Sequence, residues 1–246
     1  MRLWILGLAG VALWAQQLRD KEAALGEQLA KEVLSRTSLV DRFAVRDYVD
    51  RLGQKLAVHF PDTVIYKFSV VADQSGGRTH EPIALPGGYV FVGVDLISAA
   101  QDEAEFAGML AHAMAHSVAP IAARGVVNSG SIPLIIVGGW TGSNDYAVPL
   151  PFAKLQRAAE LAADRVAVPA MANAGYDPDA LVRYLGRAQT GDRAVRIAAL
   201  QQAISRLPSR AYSMSEDFLR IQDAMRASEP ARVRRVPTLL RPGEQP

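Results

Sequence analysis

Two of the four histidines in this chain, His112 and His116, lie four positions apart in an apolar run over residues 106–116. Residues with that spacing sit one above the other on the same face of a helix. The run therefore predicts a buried helix, in which imidazoles without polar partners would be costly. Two interpretations stay open, a shared zinc ion and a pair of ordinary packed histidines.

A pair of acidic residues on a downstream helix adds a third candidate ligand. Glu160 and Asp164 are again four apart, in a helix predicted over about residues 152–174. A catalytic zinc site needs three protein ligands and one open position, and Glu160 would complete that set. Asp164 could accept the free N–H of a ligand histidine and fix its tautomer. A solvated glutamate on an alanine-rich helix is the alternative, because helical spacing does not decide between the two.

The remaining patterns predict an α+β domain. Residues 18–59 indicate two helices separated by a break between Ser38 and Asp41. Residues 64–71 predict a strand, and residues 83–92 predict two short strands joined by a Pro-Gly-Gly turn.

Capping residues predict where the two central helices begin and end. Asp102 has the chemistry of an N-cap for the histidine-bearing helix, which should end near Ala119. Gly175 should stop the helix of the acidic pair. Residues 181–204 then predict one or two further helices.

Composition narrows the class of protein. Half of the residues are apolar and 21% are charged, which suits one sizeable globular domain. The formal net charge is only +2, so nucleic acid is not expected as a partner. The chain has no cysteine, which excludes disulfides, thiol chemistry and a lipid-modified cysteine.

Three segments are expected to differ from the domain proper. Residues 1–15 have the basic start and apolar stretch of a secretory signal peptide, with an uncleaved anchor as the alternative. Secretion across the inner membrane to the periplasm would follow. Residues 16–210 are the predicted domain, and the arginine- and proline-rich residues 211–246 predict a largely disordered tail. The glycine-rich apolar stretch 126–150 is either a core loop or a surface in peripheral contact with a membrane.

Five segments resemble, in order, one family of zinc metallopeptidases. That family includes the CAAX prenyl proteases and the periplasmic chaperone-proteases that tend outer-membrane assembly. The matching segments are residues 48–56, 84–92, 103–112, 160–164 and 174–178. A bare HxxxH is a weak signal, but five matches in the family's order are a strong one.

The resemblance implies a mostly helical, zincin-like α+β fold with a small sheet beside the HxxxH helix. It implies that Zn²⁺ is held by His112, His116 and Glu160. It also implies a metalloendopeptidase-type function toward unfolded or membrane-associated polypeptides of the cell envelope, with an extended substrate on an edge strand. The residues expected in that strand are Tyr89, Val90, Phe91 and Val92.

The chain departs from the family pattern at Ala113, where HExxH has its glutamate. That glutamate takes a proton from the zinc-bound water and delivers it to the leaving amine, and alanine can do neither. The sequence therefore predicts a folded, zinc-binding and largely inactive domain. A natural loss or a substrate-trapping substitution would both explain Ala113.

Two further interpretations are a non-catalytic peptide-binding chaperone or scaffold and a structural domain without metal.

A second departure lies late in the chain, where family members often carry histidine before proline. The nearest equivalent here reads Arg206-Leu207-Pro208.

Overall fold

The structure is a computed structural model that describes most of the chain. The described residues are 17, 20–21, 23–35, 37–61, 64–72, 82–118, 150–187, 192–208, 212 and 215–226. The predicted signal peptide lies outside the described residues, and so does all but the last residue of the apolar stretch 126–150.

The described residues form a helical domain with one small sheet, as the α+β prediction required. The elements in chain order are α1 (23–35), α2 (Phe43–Ala57), β1 (Lys67–Val71), β2 (Ile83–Leu85), a 3₁₀ turn (Pro86–Gly88), β3 (Tyr89–Gly93), α3 (Val94–Ala99), α4 (Glu103–Val118), α5 (Leu150–Asn173), α6 (Asp179–Arg187), α7 (Arg193–Ile204) and α8 (Glu216–Arg226). None of the described helices combines the length and the apolar character that crossing a bilayer requires.

The sheet has the order β1-β3-β2. β2 and β3 run antiparallel, and the turn between them depends on Gly87 and Gly88, whose φ angles are +73° and +82°. Only glycine adopts such angles without strain. A Cβ at Gly88 would also come within 2.4 Å of the Ile65 carbonyl oxygen. The predicted strand–turn–strand segment is therefore confirmed.

The prediction that residues 89–92 form an edge strand is wrong. β3 is the central strand, paired in parallel with β1 from Lys67↔Tyr89 onward and with β2 on its other side. Its backbone groups are therefore engaged with both neighbours over Tyr89 to Phe91 and are not free to hold a peptide. The β1 pairing joins residues more than 20 positions apart, which the local strand pattern does not reveal.

Helix α4 runs through the centre of the domain. Every residue from Glu105 to Ser117 is buried, as expected of a helix that packs on all sides. Its start is capped by Asp102, whose Oδ1 accepts the Glu105 N–H at 2.8 Å. Small residues allow close approach to α5, and a Cβ at Gly108 would already lie 3.0 Å from Met171 Cε. The helix therefore brings both histidines against α5.

The two faces of the sheet are covered by different layers. Val90 and Val92 of β3 belong to the main core around α4, while Phe91 belongs to a second cluster with Ala30 of α1. Successive strand residues point to opposite faces, which explains this alternation. α1 and α4 therefore lie on opposite sides of the sheet.

The C-terminal prediction needs correction because residues 216–226 form helix α8. Phe218 is fully buried and stacks on Phe106 with ring centroids 5.7 Å apart. The Gln222 side chain donates to the carbonyl oxygens of Ile97 at 3.1 Å and Ala100 at 2.7 Å. The domain thus extends beyond residue 210, and residues 227–246 lie outside the described part of the chain.

Replacing Phe218 with alanine should lower the free energy of unfolding by about 3–5 kcal/mol, because it opens a cavity among packed rings. Leu219 on the same helix is 45% exposed, so Leu219→Ala should change stability by no more than about 0.5 kcal/mol. Urea unfolding of the two variants measures both values. Equal and small losses would contradict a role for α8 in the core.

Candidate metal centre

Helices α4 and α5 bring His112, His116 and Glu160 together, as the helical spacing and the family resemblance required. The His112 Nε2 atom lies 3.1 Å from His116 Nε2 and 3.1 Å from Glu160 Oε2. His116 Nε2 lies 3.6 Å from Glu160 Oε1. All three side chains offer a ligand atom within one small volume. Both histidines are buried, and Glu160 is 14% exposed.

These separations fit a tetrahedral zinc ion. Zinc–ligand bonds of about 2.0–2.1 Å place neighbouring ligand atoms roughly 3.3 Å apart in a tetrahedron. The two separations from His112 Nε2, 3.1 Å each, lie close to that value, and the 3.6 Å separation joins His116 Nε2 to the other oxygen of Glu160. Two imidazoles and one carboxylate are also the donor set of a catalytic zinc site with an open fourth position. The three side chains can therefore hold zinc.

Asp164 lies where an outer partner of the metal centre would be needed. Its Oδ1 is 2.9 Å from His112 Nδ1, on the far side of the ring from the ligand nitrogen. A carboxylate there holds the proton on Nδ1 and leaves Nε2 free for a metal. Asp164 is 2% exposed, so this charge requires compensation within the protein.

Arg196 on α7 provides that compensation. Its Nε and Nη2 donate to the two oxygens of Asp164 at 2.9 and 2.8 Å. Its Nη1 lies 2.9 Å from Glu160 Oε2, and its Nη2 is 3.4 Å from both ring nitrogens of His112. The guanidinium is buried and contacts three members of the cluster.

Arg196 is not among the site residues predicted from the sequence. A signal was present, because Arg196 lies four residues before Leu200 and both occupy the buried face of α7. An arginine on an apolar helical face indicates a buried charge that must be paired. The partner could not be inferred, since Asp164 lies 32 residues earlier in the chain.

Burial and charge pairing together set the ionisation state of the cluster. Burial opposes ionisation of both acids. The hydrogen bond to His112 and the charges of His112, His116 and Arg196 nevertheless lower the pKa of Glu160 to about 2. Hydrogen bonds to Arg196 and His112 lower the pKa of Asp164 to about 2. Burial and the neighbouring His112 lower the pKa of His116 to about 4. Burial also opposes protonation of His112, but its two carboxylate contacts outweigh this and raise its pKa to about 9. At neutral pH the acids are therefore charged and the His116 imidazole is neutral, whereas His112 carries a proton that a metal would have to displace from Nε2.

Ala113 follows His112 in α4 and is 3% exposed. Its methyl group can neither accept nor donate a proton. The two carboxylates that contact His112 in the described structure, Glu160 and Asp164, are engaged with His112 and Arg196. Both of these carboxylates therefore already have cationic or imidazole partners.

Strand β2 contacts the histidine-bearing helix α4. Ser117, one residue after His116, donates from Oγ to the Leu85 carbonyl oxygen at 3.4 Å. β2 pairs with β3 on one side, and within the described residues no strand pairs with its other side. The strand edge beside α4 therefore belongs to β2 and not to Tyr89–Val92.

Leu207, at the second departure from the family pattern, packs against the main core.

Comparison with known proteins agrees with this geometry. The sequence profile described as peptidase family M48 matches residues 44–242, which include all three candidate ligands and α8. A relative from Vibrio cholerae serotype O1 carries the name beta-barrel assembly-enhancing protease. It is 24% identical over 186 residues, which cover 68% of this chain and 38% of the relative. The matched region is thus well under two thirds of the relative's own length.

Proposed function

The chain belongs to peptidase family M48, and we propose that it is a zinc-binding peptidase domain with impaired catalysis. One observation carries this proposal. The three candidate ligands offer atoms within 4.8 Å of one another, and alanine stands where the family motif has its proton-transferring glutamate. The domain is of the metallopeptidase type, and the proposed impairment concerns only the proton-transfer step of peptide hydrolysis.

Each residue of the centre has a defined task in this proposal. His112, His116 and Glu160 would hold zinc, which when bound lowers the pKa of a coordinated water and polarises a peptide carbonyl. Asp164 keeps the His112 ring in the tautomer that presents Nε2 to the centre. The open side of the site would accept the peptide and the attacking water.

The missing task is proton transfer. A glutamate at position 113 would take the proton of the attacking water and return it to the leaving amine. General acid–base catalysis contributes about 10²–10⁴ in rate, so Ala113 should leave a feeble residual activity. The metal ligands are intact, and alanine is a good helix former, so the fold and the centre survive the loss.

The substrate is proposed to be an unfolded or membrane-associated polypeptide of the cell envelope. The name of the Vibrio cholerae relative and the signal peptide predicted for residues 1–15 support this location, which is periplasmic in the proposal. An extended peptide would add to the edge of β2 beside α4, which pairs with no other strand among the described residues. Peripheral membrane contact through residues 126–150 stays a prediction.

A second candidate function is peptide binding without cleavage. The same cleft and strand edge would then serve as a chaperone or scaffold surface. The substitution at Ala113 favours this candidate, because it removes proton transfer and leaves the ligand set in place.

Elemental analysis of the purified, dialysed protein tests the metal centre. We expect close to one zinc per chain, because two imidazoles and one carboxylate already lie within 4.8 Å of one another. A folded chain without zinc would contradict the centre. Cleavage of an unfolded protein such as reduced casein tests the catalytic part, where a vigorous rate from the unaltered chain would contradict impairment.

A further inference from the structure

We propose that Arg196 is a positioning residue of the metal centre, whose guanidinium orients the carboxylates of Glu160 and Asp164 for metal binding. This inference rests on the proposed zinc centre and adds a residue from a third helix to it. Three different nitrogens of one side chain reach these two acids.

Arg196 contacts the two carboxylates in different ways. Nη1 holds Glu160 Oε2, which leaves Oε1 as the oxygen nearest to His116 Nε2. Nε and Nη2 hold both oxygens of Asp164, in the paired geometry that a guanidinium forms with a carboxylate. Asp164 Oδ1 also contacts His112 Nδ1. Arg196 thus sets Glu160 directly and His112 through Asp164.

Two effects of Arg196 on a metal ion oppose each other. Its positive charge repels a dication, which weakens binding, while the fixed carboxylates reduce the cost of organising the ligands. Replacement by a neutral residue changes both effects at once. Lysine keeps the charge, but its ammonium is a point charge that does not reproduce the planar fork. Arg196→Lys therefore isolates the orienting role.

The decisive measurement is the zinc affinity of Arg196→Lys, determined by competition with a chromophoric chelator. Partners outside the ligand set typically contribute about 10–100-fold to metal affinity, and a loss of that size is expected. Because a cation still faces the two acids, the metal-free variant should remain folded, as checked by circular dichroism. A role in charge compensation alone would leave the affinity unchanged.

Arg157→Lys is the matched control. Arg157 also joins α5 to the start of α7, through Asp192 at 2.6 Å, but it lies on the surface and does not contact the centre. Its substitution should leave zinc affinity unchanged. An equal loss in both variants would mean that the α5–α7 contact in general is responsible, and it would overturn the proposal.

The other outcomes are equally distinct. An affinity of Arg196→Lys within about twofold of the unaltered chain would overturn the orienting role, since outer partners act more strongly than this. Absence of zinc binding by the unaltered chain would overturn the proposed zinc centre itself, together with this inference.

A second comparison applies if Arg196→Lys fails to fold. Arg196→Lys is then placed in an Asp164→Asn background, which keeps the positive charge but removes one buried carboxylate that needs the guanidinium, and it is compared with Asp164→Asn alone. Loss of the Nη1 contact to Glu160 should weaken zinc binding about 10-fold further. No further loss would overturn the proposal.

Discussion

Replacing Ala113 with glutamate should raise the peptidase rate of this chain by about 10²–10⁴, the contribution of general acid–base catalysis. The family motif has its catalytic glutamate at this position, directly after the first histidine, so the variant restores the proton-transferring group in the proposal. The gain should appear in kcat, because the substitution leaves the proposed peptide-binding edge of β2 unchanged. Cleavage of an unfolded protein and of a fluorogenic peptide by the zinc-loaded variant measures it.

Ala113→Gln is the matched control for this gain. Glutamine has nearly the same size and bulk as glutamate but cannot take a proton at neutral pH. Both variants insert a long side chain at a buried position, at a cost of about 1–3 kcal/mol, so both must be checked for fold and zinc content. Only the glutamate variant should gain activity.

Failure of Ala113→Glu would also be informative. If the variant binds zinc, folds and still cleaves nothing, impairment by Ala113 alone is contradicted. The loss would then include the second departure at Arg206-Leu207-Pro208, where family members often carry a histidine. The peptide-binding candidate would gain support from that result.

Replacing His116 with alanine should reduce zinc from close to one per chain to near zero. The variant removes one of three ligands and leaves a site with too few donors to retain the ion through dialysis. Its imidazole lies 3.1 Å from His112 Nε2, whereas the Asp164–Arg196 pair does not include it. The remaining charges therefore stay compensated, and the variant should fold. Elemental analysis and chelator competition give the stoichiometry and the affinity.

His59→Ala is the control for this experiment. His59 is exposed, lies after the end of α2 and is not among the candidate ligands. Its replacement should leave the zinc content unchanged. Equal loss in the two variants would indicate nonspecific histidine binding, and retention of zinc by His116→Ala would contradict the assigned ligand set.

Local sequence patterns were sufficient to predict those features of this protein that depend on residues close together in the chain. The helical period places His112 above His116 and Glu160 above Asp164, whatever surrounds them. Asp102 caps α4, and Gly175 ends α5 with a φ of +85°, because these are interactions within a few residues. The family resemblance then predicted that these two helices form one metal site.

Tertiary structure decided what depends on distant segments. β3 became the central strand because β1 pairs with it in parallel across more than 20 residues. Helix α8 packs on the core because Phe218 stacks on Phe106, although an arginine- and proline-rich region follows this helix. Arg196 entered the metal centre from α7, 32 residues after Asp164. Periodicity and capping are short-range, whereas strand order, helix docking and the pairing of buried charges depend on which distant segments pack together.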